Sequence, residues 1–475
     1  MMTYTGTYTD QYQLTMAQVY FLKGKKDHVA VFDYFFRKLP FAGGYAVFAG
    51  LDTLLDILET FHFDTTDIAF LKTQGFHPSF LSYLETFRFN GTIYASDEGD
   101  LVFPTRPIVT IEANIIEAQI IETVLLNTLN FQTLIATKAN RIRHIAGNRQ
   151  LIEFGLRRAQ GPGGYYASRA AIIGGFDATS NVRAGRDFHI PVSGTIAHAF
   201  IQSYDDELSA FRDYAETSPE HCVLLVDTYG TLKSGIPNAI TIAKEMEKRG
   251  QRLYGIRLDS GDLAYLSKKA RHMLDDAQLD YVKIIASNQL DEHVIKSLIE
   301  QAAPLDVFGV GTNLAVGQPD AALDGVFKLA FVNNKPRIKL SENTSKITLP
   351  HKKQVYRVIN EDGVFLGADV VTLAEENNID MMYHPFDAFQ SLSIQAYQQE
   401  PLLHKVMEDG KRLYTTKTLS EIAEYSKQRL TQLPAEYKRF NAPHLYKIGL
   451  SQQLKAERDK LMAEYKAKQK KEKQP

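Results

Sequence analysis

CVLLVDTYGTLKSGIPNAITIAKEMEKRGQRLYGIRLDSGD, residues 222–262, contains one complete structural unit. It opens with an apolar run, Cys222–Val226, that ends in a polar turn at Asp227. Apolar residues then recur at helical spacing through Pro237–Gly250, and a second apolar run ends at Arg257–Asp262. A strand, helix and strand spaced by roughly 30 residues make a unit with parallel strands. The same pattern extends outward. LIEFG (151–155), IIGGFDATS (172–180), FHIPVSG (188–194), YVKIIASN (281–288) and DVFGVGT (306–312) are further short apolar runs ending in polar or glycine-containing turns, and DLAYLSKKARHMLDDA (262–277) is a second helical pattern. Seven strand ends suit an irregular parallel α/β barrel better than an open sheet. In either arrangement ligands bind at the carboxyl ends of the strands.

The flanks read differently. Val29–Leu39 and Gly91–Ala113 are rich in β-branched and aromatic residues, and Tyr45–Phe61 and Ser79–Phe87 have helical spacing. The expected organisation is an N-terminal α/β domain at 1–114, a barrel core at 115–335 led by a long helix over 115–145, and a C-terminal α+β region at 336–475. Within the last, Pro336–Ile359 reads as a basic loop followed by a strand. From Ser451 a charged helix fades into a solvated, lysine-rich tail.

Composition narrows the function classes. Lys plus Arg (54) nearly balances Asp plus Glu (56), which gives no electrostatic argument for nucleic acid or an anionic membrane. Anionic ligands must therefore be held by local geometry. No run approaches the roughly 18 apolar residues of a membrane helix. The start of the chain lacks a secretory pattern, and the single Cys222 cannot form an internal disulfide. A soluble, cytoplasmic protein is expected.

Several strand ends carry residues capable of chemistry. SGTIAHAF (193–200) offers His198 as acid, base or nucleophile, against the plain alternative of a core histidine; no second ligand at metal spacing stands beside it. RLDSGD (257–262) offers Arg257, suited to gripping a carboxylate or phosphate, with Asp259 or Ser260 free to cap the next helix. In FGVGTNLAVG (308–317), the N–H groups of Gly309, Gly311 and Thr312 form either an anion cradle or an ordinary turn. Asp227 suits a ribose hydroxyl, a metal-bridged pyrophosphate or a plain loop. Phe154 beside Arg157 and Arg158 suits a stacking platform with phosphate-binding arginines. Together these groups describe a substrate with several anionic groups, a polyol and a flat ring.

TDQYQLTM near the start, FGLRRAQGP, GGFDATSNVRAG, SGTIAHAF, VDTYGT, RLDSGD and FGVGT, in that order, resemble the motif series of the nicotinate phosphoribosyltransferases. The match runs from about Thr9 to Thr312. The resemblance implies an irregular α/β barrel with flanking domains that joins nicotinate to phosphoribosyl pyrophosphate, coupled to ATP hydrolysis through a phosphohistidine at His198. It implies nicotinate held by Thr195 and Arg257 between the rings of Phe154 and Tyr12, with Tyr12 supplied by the partner subunit of a homodimer. Arg157, Asp227, Asp259, Gly309, Gly311 and Thr312 would serve phosphoribosyl pyrophosphate, with Asp227 and Asp259 available to a Mg²⁺ ion. By the same alignment Asn181 stands where amide-using relatives carry an aspartate, which favours the acid over nicotinamide. A quinolinate-using enzyme would show more cations. A non-catalytic relative would have lost His198 or Arg257, and a two-carboxylate glycosidase would leave the histidine loop unexplained.

Overall fold

The computed structural model describes residues 4–387 and 389–472; the last three residues of the lysine-rich tail, 473–475, lie outside the described residues, as do the first three of the chain. The chain forms two compact units. One runs to Thr137 and resumes at Ala322; the other is Lys138–Ala321.

In the central unit six short strands form one parallel sheet: β1 (Gln150–Glu153), β2 (Ala178–Thr179), β3 (Val223–Leu225), β4 (Gly255–Leu258), β5 (Lys283–Ser287) and β6 (Val307–Val310), in the order β2-β1-β6-β5-β4-β3. Parallel neighbours cannot be joined by hairpins, so helices make the crossovers. The helix Ile236–Lys248 buries Ile236, Ala239, Ile242, Ala243 and Met246, one face at three- and four-residue spacing, and starts with a proline in its first turn. The helix Leu263–Asp276 is capped by Asp262, whose carboxylate accepts from the Tyr265 N–H at 3.0 Å. Capping therefore does not fall to Asp259 or Ser260, and both stay free for the rim.

The seventh expected strand, FHIPVSG, does not form. Residues Val182–Phe188 are helical and His189 ends that helix with a left-handed backbone (φ 55°). Only Val192 bridges the sheet, in parallel with Thr179. Pro191 has no N–H for a ladder, and both Pro191 and Val192 are exposed, so nothing drives a full strand here. The result is an irregular α/β barrel with one stave reduced to a single bridge.

The other unit contains a seven-stranded and a six-stranded sheet. Val29–Phe36 pairs antiparallel with Gly325–Val332, with Ala30 opposite Val332, so the outer segments of the chain share one sheet. The boundaries of the compact units thus fall at 137/138 and 321/322 where the sequence suggests 114/115 and 335/336, because Gly325–Val332 takes its partner from the N-terminal segment. The expected long helix begins as a short one, Ile115–Ile120, followed by Glu122–Ala146. Among the described residues no helix is long and apolar enough to cross a membrane.

Candidate active site

Arg257, Thr195, Asp259, Asp227 and His198 come together at strand ends of the sheet, with Phe154 beside them. Arg257 lies in β4, and its guanidinium is anchored on three sides. Nε donates to Ser287 Oγ at 2.8 Å, one terminal nitrogen to Thr195 Oγ1 at 2.8 Å, and the other to Asp259 Oδ1 at 2.7 Å. The side chain is 13% exposed. A guanidinium carries five N–H groups; these three contacts leave one on each terminal nitrogen, a fork suited to a carboxylate or phosphate. The cation also lies 5.4 Å from the centre of the Phe154 ring. Charge and flat surface therefore occupy one spot.

Phe154 follows β1 directly. Its ring occupies the space that a side chain at Gly309 would need. Gly309 lies inside β6, in register with Ser287 and Ile152. The glycine there is explained by the approach of the phenyl ring, and its backbone belongs to the sheet, so the expected phosphate cradle does not include it. Gly311 precedes the single-turn helix Thr312–Ala315, and Thr312 is half-buried at its first position. Arg157 and Arg158 are exposed on the loop after Phe154.

His198 is the first residue of the helix His198–Gln202. Its Nδ1 lies 3.0 Å from Thr228 Oγ1 and its Nε2 lies 3.9 Å from Asp259 Oδ2, with 40% of the side chain exposed. A solvent-accessible imidazole held by a hydroxyl on one nitrogen and facing a carboxylate on the other is not a core histidine. Asp227 Oδ2 accepts from the Asp259 N–H at 2.9 Å and from Ser260 Oγ at 2.6 Å. Its other oxygen, Oδ1, is buried and has no protein partner. Such an atom calls for a donor or a cation.

Two candidates stand apart. Asn181 is 1% exposed; its amide N donates to Ser168 Oγ at 3.1 Å, and its carbonyl accepts the Ala184 N–H at 3.2 Å, capping Val182–Phe188. Its side chain is committed to the scaffold and does not join the rim cluster, which corrects the expectation of a ligand contact. Tyr12 belongs to the other unit, on the helix Gln11–Leu22, with 52% of its surface exposed.

Sequence reasoning missed Ser287, Thr228 and Glu153. Ser287 is the last residue of β5, and Thr228 follows Asp227 at the end of the β3 segment, so the strand-end rule applied position by position would have found both. Glu153 was hidden as one polar letter in an apolar run. Its carboxyl is fully buried. Burial pushes its pKa up, against hydrogen bonds from Thr179, Gly155 and Ser168.

Comparison with known proteins agrees with this geometry. Residues 149–363 match the model of the nicotinate phosphoribosyltransferase (NAPRTase) family, residues 7–130 its N-terminal domain, and residues 352–457 its C-terminal domain. The chain is 45% identical to a nicotinate phosphoribosyltransferase of Bacillus subtilis, over 94% of this chain and 92% of that protein. It is 37% identical to one of Dictyostelium discoideum, over 95% and 87%. The crystal structure of human nicotinic acid phosphoribosyltransferase superposes with a TM-score of 0.86 at 31% identity, covering 95% of this chain and 99% of that one. With likeness of this extent in sequence and in fold, the chain belongs to the nicotinate phosphoribosyltransferase family.

Proposed function

We propose that this protein joins nicotinate to phosphoribosyl pyrophosphate, giving nicotinate mononucleotide and pyrophosphate, the entry of nicotinic acid into NAD salvage. The observation that carries this is the buttressed Arg257 fork beside the Phe154 ring, which matches a flat ring bearing one carboxylate. Thr195 and Arg257 hold the carboxylate, and Phe154 supports one face of the pyridine. The pyridine nitrogen attacks the anomeric carbon as the bond to pyrophosphate breaks; that nitrogen carries no proton to remove at neutral pH, so no base is needed. Positioning the ring and stabilising the separating charges carry the catalysis.

Thr312, Gly311 and Arg157 serve the phosphates, and the free Asp227 Oδ1 takes a ribose hydroxyl or a Mg²⁺ ion. No group of three or more His, Cys, Asp or Glu able to hold a metal occurs among the described residues. The ion would thus be held mainly by substrate oxygens with Asp227 as a carboxylate ligand and Asp259 nearby, the usual manner of Mg²⁺. When bound it would neutralise charge on the leaving pyrophosphate.

ATP acts as co-substrate. A ring nitrogen of neutral His198 attacks the γ-phosphorus and ADP departs; hydrolysis of the resulting phosphohistidine drives the cycle. Thr228 and Asp259 hold the ring between them. Tyr12 supplies the second face of the stack from the partner subunit of a homodimer. What supports this is its place on an exposed apolar face with Val19 and Leu22, one side of the helix Gln11–Leu22. The test is pyrophosphate release from phosphoribosyl pyrophosphate on addition of nicotinate, with ATP-derived phosphate traced to His198. Absence of nicotinate-dependent release overturns the proposal.

A further inference from the structure

Glu153 has no part in the chemistry above, yet it is a fully buried carboxyl at the end of a central parallel strand, paired there with Thr179 of β2. A buried carboxyl there is costly unless donors converge on it. Three do. Thr179 Oγ1 donates at 2.6 Å and Ser168 Oγ at 2.9 Å to one oxygen, and the Gly155 N–H donates to the other. Two of the contacts lead to walls of the site, and the third to the scaffold behind them. Gly155 completes the turn that carries Phe154. Thr179 bonds through its backbone to both Pro191 and Ser193, the segment that leads to Thr195. Through Ser168 and Thr179 the same carboxyl reaches Asn181, the cap of Val182–Phe188.

The geometry points to Glu153 as a positioning residue for the pyridine ring. Resting on the function proposed above, it fixes the plane of Phe154 and the distance from that plane to Thr195 and Arg257, so that ring and carboxylate are gripped together. An apolar side chain of the same size would fill the space but leave the buried Gly155 N–H without its acceptor, while Ser168 Oγ keeps the Gly164 carbonyl at 3.0 Å. On the phosphate side, Asp227 is held by the Asp259 N–H and Ser260 Oγ.

The experiment is steady-state kinetics, varying each substrate separately, on full-length wild type, Glu153→Gln, Thr179→Val and Thr179→Ser, with thermal melts to establish folding. Glu153→Gln keeps a single acceptor oxygen, so the Gly155 N–H and the two hydroxyls no longer all find an acceptor on this side chain. KM for nicotinate should rise about tenfold or more while KM for phosphoribosyl pyrophosphate and kcat stay within about threefold. Thr179→Val should give a smaller shift in the same direction, and Thr179→Ser, which keeps the hydroxyl, should return KM toward wild type. Should Glu153→Gln fail to fold, the Thr179 pair carries the same split. A folded Glu153→Gln or Thr179→Val with unchanged KM for nicotinate, or with both KM values raised together, overturns the assignment. A wild type inert toward nicotinate removes the proposed function and this role with it; an active wild type with insensitive variants removes this role alone.

Discussion

Replacing Arg257 by methionine should collapse the preference for acid over amide without unfolding the protein. The side chain makes three hydrogen bonds to protein groups, and its two remaining N–H groups are those assigned to the nicotinate carboxylate. A hydrogen bond to a charged partner contributes about 1.5–3 kcal/mol. Loss of even one of these two bonds therefore lowers kcat/KM for nicotinate roughly 10- to 150-fold, and loss of both lowers it further. Nicotinamide makes no charged pair, so its kcat/KM changes far less. The change also leaves Asp259 without its cation, and Asp259 is 29% exposed, so water screens part of that cost. The double variant Arg257→Met with Asp259→Asn separates the two effects. The assay is chromatographic separation of the mononucleotide products with each pyridine at several concentrations. A folded Arg257→Met enzyme with the wild-type ratio of acid to amide turnover refutes the carboxylate role of Arg257.

Four further outcomes follow from the geometry. His198→Ala should abolish ATP-derived labelling and ATP stimulation while leaving the thermal melt nearly unchanged, since the side chain is 40% exposed; a mutant that still incorporates acid-labile phosphate contradicts the nucleophile role. Mixing Tyr12→Ala with His198→Ala protein should restore activity if Tyr12 acts across subunits, and a fully active monomer by sedimentation excludes it. Arg357, fully buried, pairs with Asp100 at 2.7 Å and Asp369 at 3.1 Å; Arg357→Met should cost about 1.5–3 kcal/mol in denaturant titration by removing one of the cations on each buried carboxylate, Arg429 staying on Asp100 and Arg106 on Asp369, and a loss well below 1 kcal/mol rejects that view. Burial alone would raise the Asp100 carboxyl, but Arg357, Arg429 and Arg106 hold it below its ordinary value. A lowered folded pKa means stability present above the unfolded value near 4 and lost as pH falls further. Asp100→Asn should thus flatten part of the acid limb of the stability curve below about pH 4, and an unchanged limb contradicts it.

How much of this was legible in the sequence depends on whether the cause is local. Five of the seven barrel strands were readable because each is an apolar run closed by a polar turn; in IIGGFDATS the apolar Ile172 and Ile173 end the helix Gly163–Ile173, and only Ala178–Thr179 is strand. FHIPVSG has the same letters, but Pro191 and the exposure of Val192 leave it one bridge. The cap of Leu263–Asp276 was misplaced by a few residues, since Asp259, Ser260 and Asp262 in DSGD are all residue types that can cap and only packing selects Asp262. Pairing of Val29–Phe36 with Gly325–Val332 left no local trace, because antiparallel partners nearly three hundred residues apart share only their β-pattern. At the site, Arg257, Phe154, Asp227 and His198 stood out as polar or aromatic residues at strand ends. Asn181 did too, yet its amide serves the scaffold, and sequence position cannot tell a cap from a ligand contact when both favour the same residue type. Glu153 was invisible because its importance lies in the donors of Thr179, Ser168 and Gly155 that converge on it.

The central claim is that Arg257 and Phe154 together select a pyridine bearing one carboxylate for phosphoribosyl transfer. It is tested most directly by supplying phosphoribosyl pyrophosphate with nicotinate, nicotinamide or quinolinate in parallel, with and without ATP, and quantifying each mononucleotide. Nicotinate mononucleotide should form with one pyrophosphate per turnover, faster with ATP, and at least about a hundredfold more efficiently than the amide product. Comparable kcat/KM for nicotinamide or quinolinate, or no mononucleotide at all, would contradict it.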